Sequence, residues 1–256
     1  MEKTFFQIIF EILEEYWPSL LLGVRTTLIV SLLGTFFGLL LGLLVGGIRA
    51  IRLDPNASKS SKVIKKLFDI LSSIYITVFR GTPMMVQAVF LYYALLNIVH
   101  WDKMVAAIFV ISINTGAYMS EIIRAGIQAV DIGQTEAARS LGMSNAQTMQ
   151  HVILPQAIRN AFPAIGNELI VNIKDSSVLM ILSITELMFQ AKSIAGTTYR
   201  YTETYFIEAA IYLILTSIAA LILNTIEKKL YQQKTSLPQS DTDPHNMKFA
   251  TDRRNV

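Results

Sequence analysis

The sequence predicts an all-α integral membrane protein, and three observations predict it. Hydrophobic residues fill 52% of the 256 positions and charged residues only 16%, with a mean hydropathy of +0.45; a soluble domain carries roughly 25% charged residues. The charges are also segregated: Thr26 to Ile48, Gly81 to Trp101, Met104 to Ser120 and Ala209 to Ile226 run for 23, 21, 17 and 18 residues without one, and a helix of ~20 apolar residues crosses a bilayer. Third, basic residues gather beside these runs. Arg49, Arg52, Lys59, Lys62, Lys65 and Lys66 follow the first run, and Lys228, Lys229, Lys234, Lys248, Arg253 and Arg254 follow the last. Such excesses mark the cytoplasmic side. Placing both inside puts the N-terminus outside and the C-terminus inside, which requires an odd number of spans. The net charge of +3 therefore reports orientation, not affinity for nucleic acid.

In chain order, residues 1–18 mix Phe5, Phe6, Ile8, Ile9, Phe10, Ile12 and Leu13 with Glu11, Glu14 and Glu15. Acids interrupt the apolar core a secretory signal would need, so the segment reads as an amphipathic helix at the outer interface. Residues 19–230 form the membrane domain. Its first span covers about 20–48, where Gly34, Gly38 and Gly42 at four-residue spacing suit close helix contact, although glycine is also simply common in membrane helices. A basic loop and a partly polar helix from Val63 to Phe79 lead to Arg80-Gly81-Thr82-Pro83. The second span follows at about 80–99, the third at about 104–123, and a long polar connection occupies 124–160. Ala161 to Phe189 is apolar apart from Asn167, Glu168, Asn172, Lys174, Asp175 and Glu186, and it supplies the span that the odd count demands. The last span covers about 206–226. The tail, 231–256, is polar without apolar periodicity and is expected to be disordered. Trp17, Trp101 and Tyr16 suit the interfacial belt, and Arg80 is expected to snorkel to the interface.

Several chemistries are excluded. Without cysteine there is no disulfide scaffold, thiolate zinc site or thiol nucleophile, and His100, His151 and His245 make no metal-ligand spacing. No Ser-His-Asp grouping or carboxylate pair argues for catalytic residues. The dipeptide Gly-Lys never occurs, so no phosphate loop exists to cradle ATP.

The connection after the third span is the most informative stretch. Glu136-Ala137-Ala138 continues to Leu141-Gly142, with small side chains and a glycine where a helix ends. Ser144 with Gln147 three residues on is a capping-box signature for a second short helix, which Pro155 is expected to limit. On physics alone the result is either a knob that another protein approaches closely or an amphipathic hairpin resting on the membrane. The pattern Glu136-Ala137-Ala138, Gly142, Val152, Leu154 and Pro155 resembles the Glu-Ala-Ala loop of permease subunits of ATP-binding-cassette importers, with valine in place of isoleucine at 152. Arg80-Gly81-Thr82-Pro83, Ala117-Tyr118, Glu121, Arg124-Ala125-Gly126-Ile127 and Gly166-Asn167-Glu168 resemble the polar amino-acid permeases, which include histidine, glutamine, arginine and cystine importers. The resemblance covers roughly 18–230.

It implies a type I importer permease fold with five core spans in a bacterial cytoplasmic membrane. It also implies that Glu136, Ala137, Ala138, Leu141, Gly142, Leu154 and Pro155 dock a separate ATPase, which would carry the ATP and magnesium. The remaining implied partners are a second permease subunit, identical or homologous, and an extracytoplasmic protein delivering a polar amino acid.

Within 161–189, at 100° per residue, Asn167, Glu168, Val171, Lys174 and Asp175 share an arc of about 120°, and Asn172 widens it to about 160°. Glu168 and Lys174 lie ~9 Å apart along the axis, comparable to an extended amino acid. Ionisable residues in a span face protein or water. Lys174 therefore suits an α-carboxylate and Glu168 an ammonium or polar side-chain end, with Asn172, Ser176 and Ser177 adding hydrogen bonds. The structural alternative is that these charges pair with each other or across a dimer. Glu121 and Arg124, three apart, suit an ion pair on one face. A rival function, a carrier exchanging protons through Glu168 or Asp175, accounts for the charges but not for the 136–155 pattern.

Overall fold

The computed structural model describes residues 3–51, 53 and 58–232, and among these every regular element is helical. Helix α1 (Phe5–Ala50) leads to α2 (Lys59–Gly81), α3 (Met84–Val99) and α4 (Lys103–Gln128). A knob follows, built of α5 (Ile132–Ser140) and α6 (Asn145–Thr148). A π-helical turn, Met149–Ile153, then joins α6 to α7 (Leu154–Asp175), which tightens into a 3₁₀ segment, Ser176–Leu182. Helices α8 (Leu187–Thr198) and α9 (Tyr201–Gln232) complete the order. Among the described residues three helices (α1, α4, α9) are long and apolar enough to cross a membrane, and the count rises to five when the bent pairs α2–α3 and α6/α7–α8 each count as one span.

The central packing is α1 against α4. Gly34, Gly38, Gly42 and Gly46 form a stripe without side chains, and a Cβ added at Gly34 would strike Ile111, at Gly42 Met119, and at Gly46 the Ser120 carbonyl. At Gly38 it would lie 2.7 Å from Thr115 Cβ. The four-residue spacing is thus close backbone approach, the usual route to van der Waals contact between helices in lipid. Around this seam lie three apolar clusters. One joins Val30, Ala88, Tyr92, Ala106, Val110, Ile111, Leu179 and Leu182; another joins Ile8, Ile9, Ile12 and Leu20 to Leu187, Ile194 and Ile207. The third packs Ile123 and Ile127 against Ile153, Ala157 and Ala161 at the base of the knob.

The backbone differs from the sequence expectations in four places. No boundary exists at residue 18: α1 runs unbroken through Pro18, and Ile8, Ile9 and Ile12 are covered by α8 and α9, so the segment joins the bundle. The span expected at 80–99 is divided, because α2 ends at Gly81 and α3 departs at 116° after Thr82-Pro83. Gln87 holds that corner: its Nε2 donates to the Phe79 carbonyl (2.9 Å) and Thr82 Oγ1 (2.8 Å), while its Oε1 accepts from Asn114 Nδ2. Pro155 does not stop its helix. The π turn absorbs the proline, with the Leu154 N–H reaching back to the Met149 carbonyl, so the missing N–H and the ring's bulk fall where the ladder is already shifted.

Finally, the span expected at 161–189 breaks at Ser183, which adopts φ 59°, and the chain turns by 56° into α8. Glu186, fully buried, accepts from the Met188 and Phe189 N–H groups at 2.8 Å each and from Tyr212 Oη at 3.1 Å, capping α8 as Asp and Asn cap other helices. Apolar residues on both sides hide such a break from periodicity. The tail expected at 231–256 lies almost wholly outside the described residues.

Candidate functional site

Two regions carry the residues singled out by sequence. The first is the knob. Asp131 Oδ1 accepts the Gly133 N–H at 2.6 Å and starts α5. At its other end the Gly142 N–H donates to the Arg139 carbonyl (2.9 Å) and the Met143 N–H to the Ala138 carbonyl (3.1 Å), the paired bonds that close a helix through a left-handed residue. Gly142 supplies that residue, with φ +81°. The capping box forms as expected: Ser144 Oγ accepts from Gln147 N, and Gln147 Oε1 accepts from Ser144 N. Arg139 ties the two short helices through Asn145 Oδ1 at 2.7 Å.

The fold therefore gives the knob fixed ends and an open tip. Ala138 is buried, but Glu136, Ala137, Gly142 and Pro155 are exposed, Leu154 is half-buried, and Leu141 is 84% exposed. Leu141 is thus a large aliphatic side chain held outward on a tightly capped turn.

The second region is the polar face of α7. Asn167 and Lys174 are exposed, and Glu168, Val171, Asp175 and Ser177 are half-buried. Among the described residues no ion pair within 4 Å involves Glu168, Lys174 or Asp175. Arg80 and Asp175 are close enough to act on Glu168, and Lys174 acts on Asp175. Arg80, exposed at the end of α2, has its guanidinium 5.1 Å from the centroid of the Tyr118 ring, a cation–π arrangement with α4 that the sequence did not signal.

Asn172 and Ser176 are placed differently. Asn172 is 3% exposed and its amide is consumed internally: Nδ2 donates to Thr35 Oγ1 (2.8 Å) and lies 3.0 Å from Thr115 Oγ1. Its backbone carbonyl accepts from Ser31 Oγ at 3.0 Å. Ser176, fully buried, bonds to the Ile173 carbonyl of its own helix. Asn172 lies on the side of α7 that meets α1 and α4, and neither residue belongs to the open face.

Sequence reasoning anticipated the Glu121–Arg124 pair, with Arg124 Nη2 donating to Glu121 Oε2 at 2.7 Å, but not its third member. Arg49, at the end of α1, also donates to Glu121, so this cluster ties the end of α1 to the second half of α4. The residues are 72 positions apart, and one sequence carries no signal for such a meeting. Glu186 did carry one, as a lone carboxylate in an apolar stretch.

These features define a class: a helical protein with membrane-spanning apolar helices, an exposed capped knob and a charged helix face. Residues 57–231 match the family model described as binding-protein-dependent transport system inner membrane component. The putative glutamine transport system permease protein of Rickettsia felis is 37% identical over 86% of this chain and 98% of its own. The arginine transport system permease protein of Bacillus subtilis is 35% identical over 83% and 93%. A crystal structure of an amino acid ABC transporter with histidines superposes with a TM-score of 0.75 at 38% identity, covering 90% of this chain and 100% of that one. An inward-facing methionine ABC transporter superposes at 0.70 with 20% identity over 85% and 98%, which speaks to the fold alone. The chain belongs to the binding-protein-dependent inner membrane components and is a permease subunit of an amino-acid ABC importer.

Proposed function

We propose that this chain forms one half of the pathway by which a polar amino acid enters a bacterial cell, in the cytoplasmic membrane, with its N-terminus outside and its C-terminus inside. The observation that carries the proposal is the knob: Leu141 stands out on a turn closed by Gly142, at the same end of the bundle as the basic stretches that mark the cytoplasm. There it receives an ATPase subunit, which supplies ATP and magnesium. Because α6 continues through the π turn into α7, force applied to the knob reaches the charged face without crossing a loop.

That face suits an amino acid. Lys174 and Glu168 present opposite charges, neither held in an ion pair within 4 Å among the described residues, and a zwitterion completes both. Asn167, Asp175 and Ser177 border it. Alternating access follows if the ligand contacts differ between inward- and outward-open states, since only a difference in affinity shifts a two-state equilibrium. A second permease subunit closes the other side of the pathway, and an extracytoplasmic binding protein delivers the substrate. The names of the relatives make glutamine and arginine the first ligands to test.

The deciding experiment is uptake of labelled glutamine or arginine into proteoliposomes containing this chain, its ATPase and its binding protein. ATP inside the vesicles is expected to be required for accumulation. Uptake driven by a proton gradient without any ATPase would overturn the reading in favour of a carrier using Glu168 or Asp175. A cysteine placed at Leu141 is expected to react with impermeant maleimide only from the cytoplasmic side.

A further inference from the structure

Helix α2 is amphipathic in a way that the transport reading leaves unused. At 100° per residue Lys62, Lys65, Lys66 and Asp69 share an arc of about 100°, and Val63, Leu67, Ile70, Leu71 and Ile74 fill the adjoining one. Val63, Ile64, Leu67 and Leu71 are 57–68% exposed, whereas the helix turns Ser72 and Ile76 into the protein. Where the basic arc meets Leu53 lies an open groove of about 540 Å³, with Leu53, Ile70 and Ile74 as its apolar wall and Lys62, Lys65 and Lys66 at its rim. Asp69 and Ser73 complete it. Lys65 is paired to Asp69 at 2.6 Å, and Lys66 is exposed.

Contacts tie the inner end of this groove to the bundle: Arg49, at the end of α1, reaches Ser73 Oγ at 3.4 Å and also binds Glu121 of α4. Lys66 lies ~10 Å, and Lys62 ~16 Å, further along the α2 axis from Ser73, toward the basic end of the helix. An apolar wall below three lysines and one carboxylate is complementary to an acyl chain below an anionic phosphodiester, with hydroxyls of the headgroup able to donate to Asp69.

We propose that α2 and Leu53 form a binding site for an anionic glycerophospholipid of the inner leaflet. The leaflet assignment rests on the orientation given above; the site itself does not. Basic side chains near an anionic membrane surface each strengthen binding about fivefold, and salt weakens the effect over a Debye length.

The test is lipid retention by the purified complex in nanodiscs of phosphatidylcholine containing phosphatidylglycerol, read by native mass spectrometry. Wild type is expected to enrich phosphatidylglycerol. The Lys62→Gln/Lys66→Gln variant is expected to lose about fivefold of that enrichment per lysine, while Lys62→Arg/Lys66→Arg keeps it. Equal retention of both lipids by wild type and the glutamine variant overturns the proposal. So does displacement by inorganic phosphate, which would mark a soluble-anion site, or efficient cross-linking from a cysteine at 66 to a second permease chain. Nanodiscs expose both leaflets to the same lipid, so a wrong orientation leaves this result intact and appears only in the maleimide labelling.

Discussion

The two sides of α7 treat polar groups in opposite ways. Toward α1 and α4, Asn172 spends its amide on Thr35 and Thr115 and its carbonyl on Ser31, with almost no exposed surface. On the other side Asn167, Glu168, Lys174 and Asp175 are half-buried or exposed, without an ion pair within 4 Å among the described residues. A buried polar group left unsatisfied is costly. The closed side is therefore satisfied within the chain, and the open side leaves its charged and amide groups accessible. The knob follows the open pattern: its backbone is fully capped, yet Leu141 and Gly142 face outward.

The hardest blow to the closed side is Gly42→Leu. A Cβ there strikes Met119 and lies 3.0 Å from the Ser120 backbone nitrogen, and backbone cannot give way as a side-chain tip can. Overpacking of this kind is expected to cost about 3 kcal/mol, read as a large fall in melting temperature and in membrane yield. A melting temperature equal to wild type would show that the seam is looser than its geometry. Asn172→Leu comes next. It removes the amide partner of Thr35 and Thr115 while leaving the backbone carbonyl that Ser31 uses, and the expected loss is about 2 kcal/mol with uptake per folded molecule preserved. Lost uptake at unchanged stability would move Asn172 to the open side and dissolve the contrast between the two faces.

How much of this was legible beforehand follows the same division. Features set by local chemistry were readable: the glycine spacing of α1, the Ser144–Gln147 box, the Gly142 terminus and the polar arc of α7 each depend on residues within about three turns of one another. Features set by meetings across the chain were not. Asn172 sits at the edge of the arc, 40° beyond Glu168 at 100° per residue, and nothing local says that Thr35 and Thr115 wait there. The stacking of Arg80 on a ring of α4 was hidden for the same reason. Breaks inside apolar stretches were the other loss, because the residues before and after Ser183 are equally apolar.

Gly142→Ala probes the knob with a smaller change. Open space surrounds the position, but its φ of +81° costs an L-residue roughly 1–2 kcal/mol. The turn then opens or shifts, and Leu141 with it. We expect melting of the bundle to change little, and copurification of the ATPase and ATP-driven uptake to fall severalfold. Gly142→Asn, which tolerates the left-handed region, is expected to retain more of both. Equal loss in the two variants would tie the defect to side-chain bulk instead of backbone geometry.

The smallest expected effect on stability, and the most informative on function, comes from Glu168→Gln and Lys174→Gln. Neither side chain is held in an ion pair within 4 Å among the described residues, so each change is expected to shift stability by no more than ~0.5 kcal/mol. Uptake is expected to fall in both. If one bound amino acid bridges the two charges, removing either already breaks the bridge, and the double variant loses less than the sum of the single losses. Coupling between contacting groups reaches about 0.5–3 kcal/mol, well above the error of a transport assay. Strict additivity would mean that the two charges act on different things, Lys174 on a ligand and Glu168 on Arg80, and the open face would then divide into a binding half and a structural half.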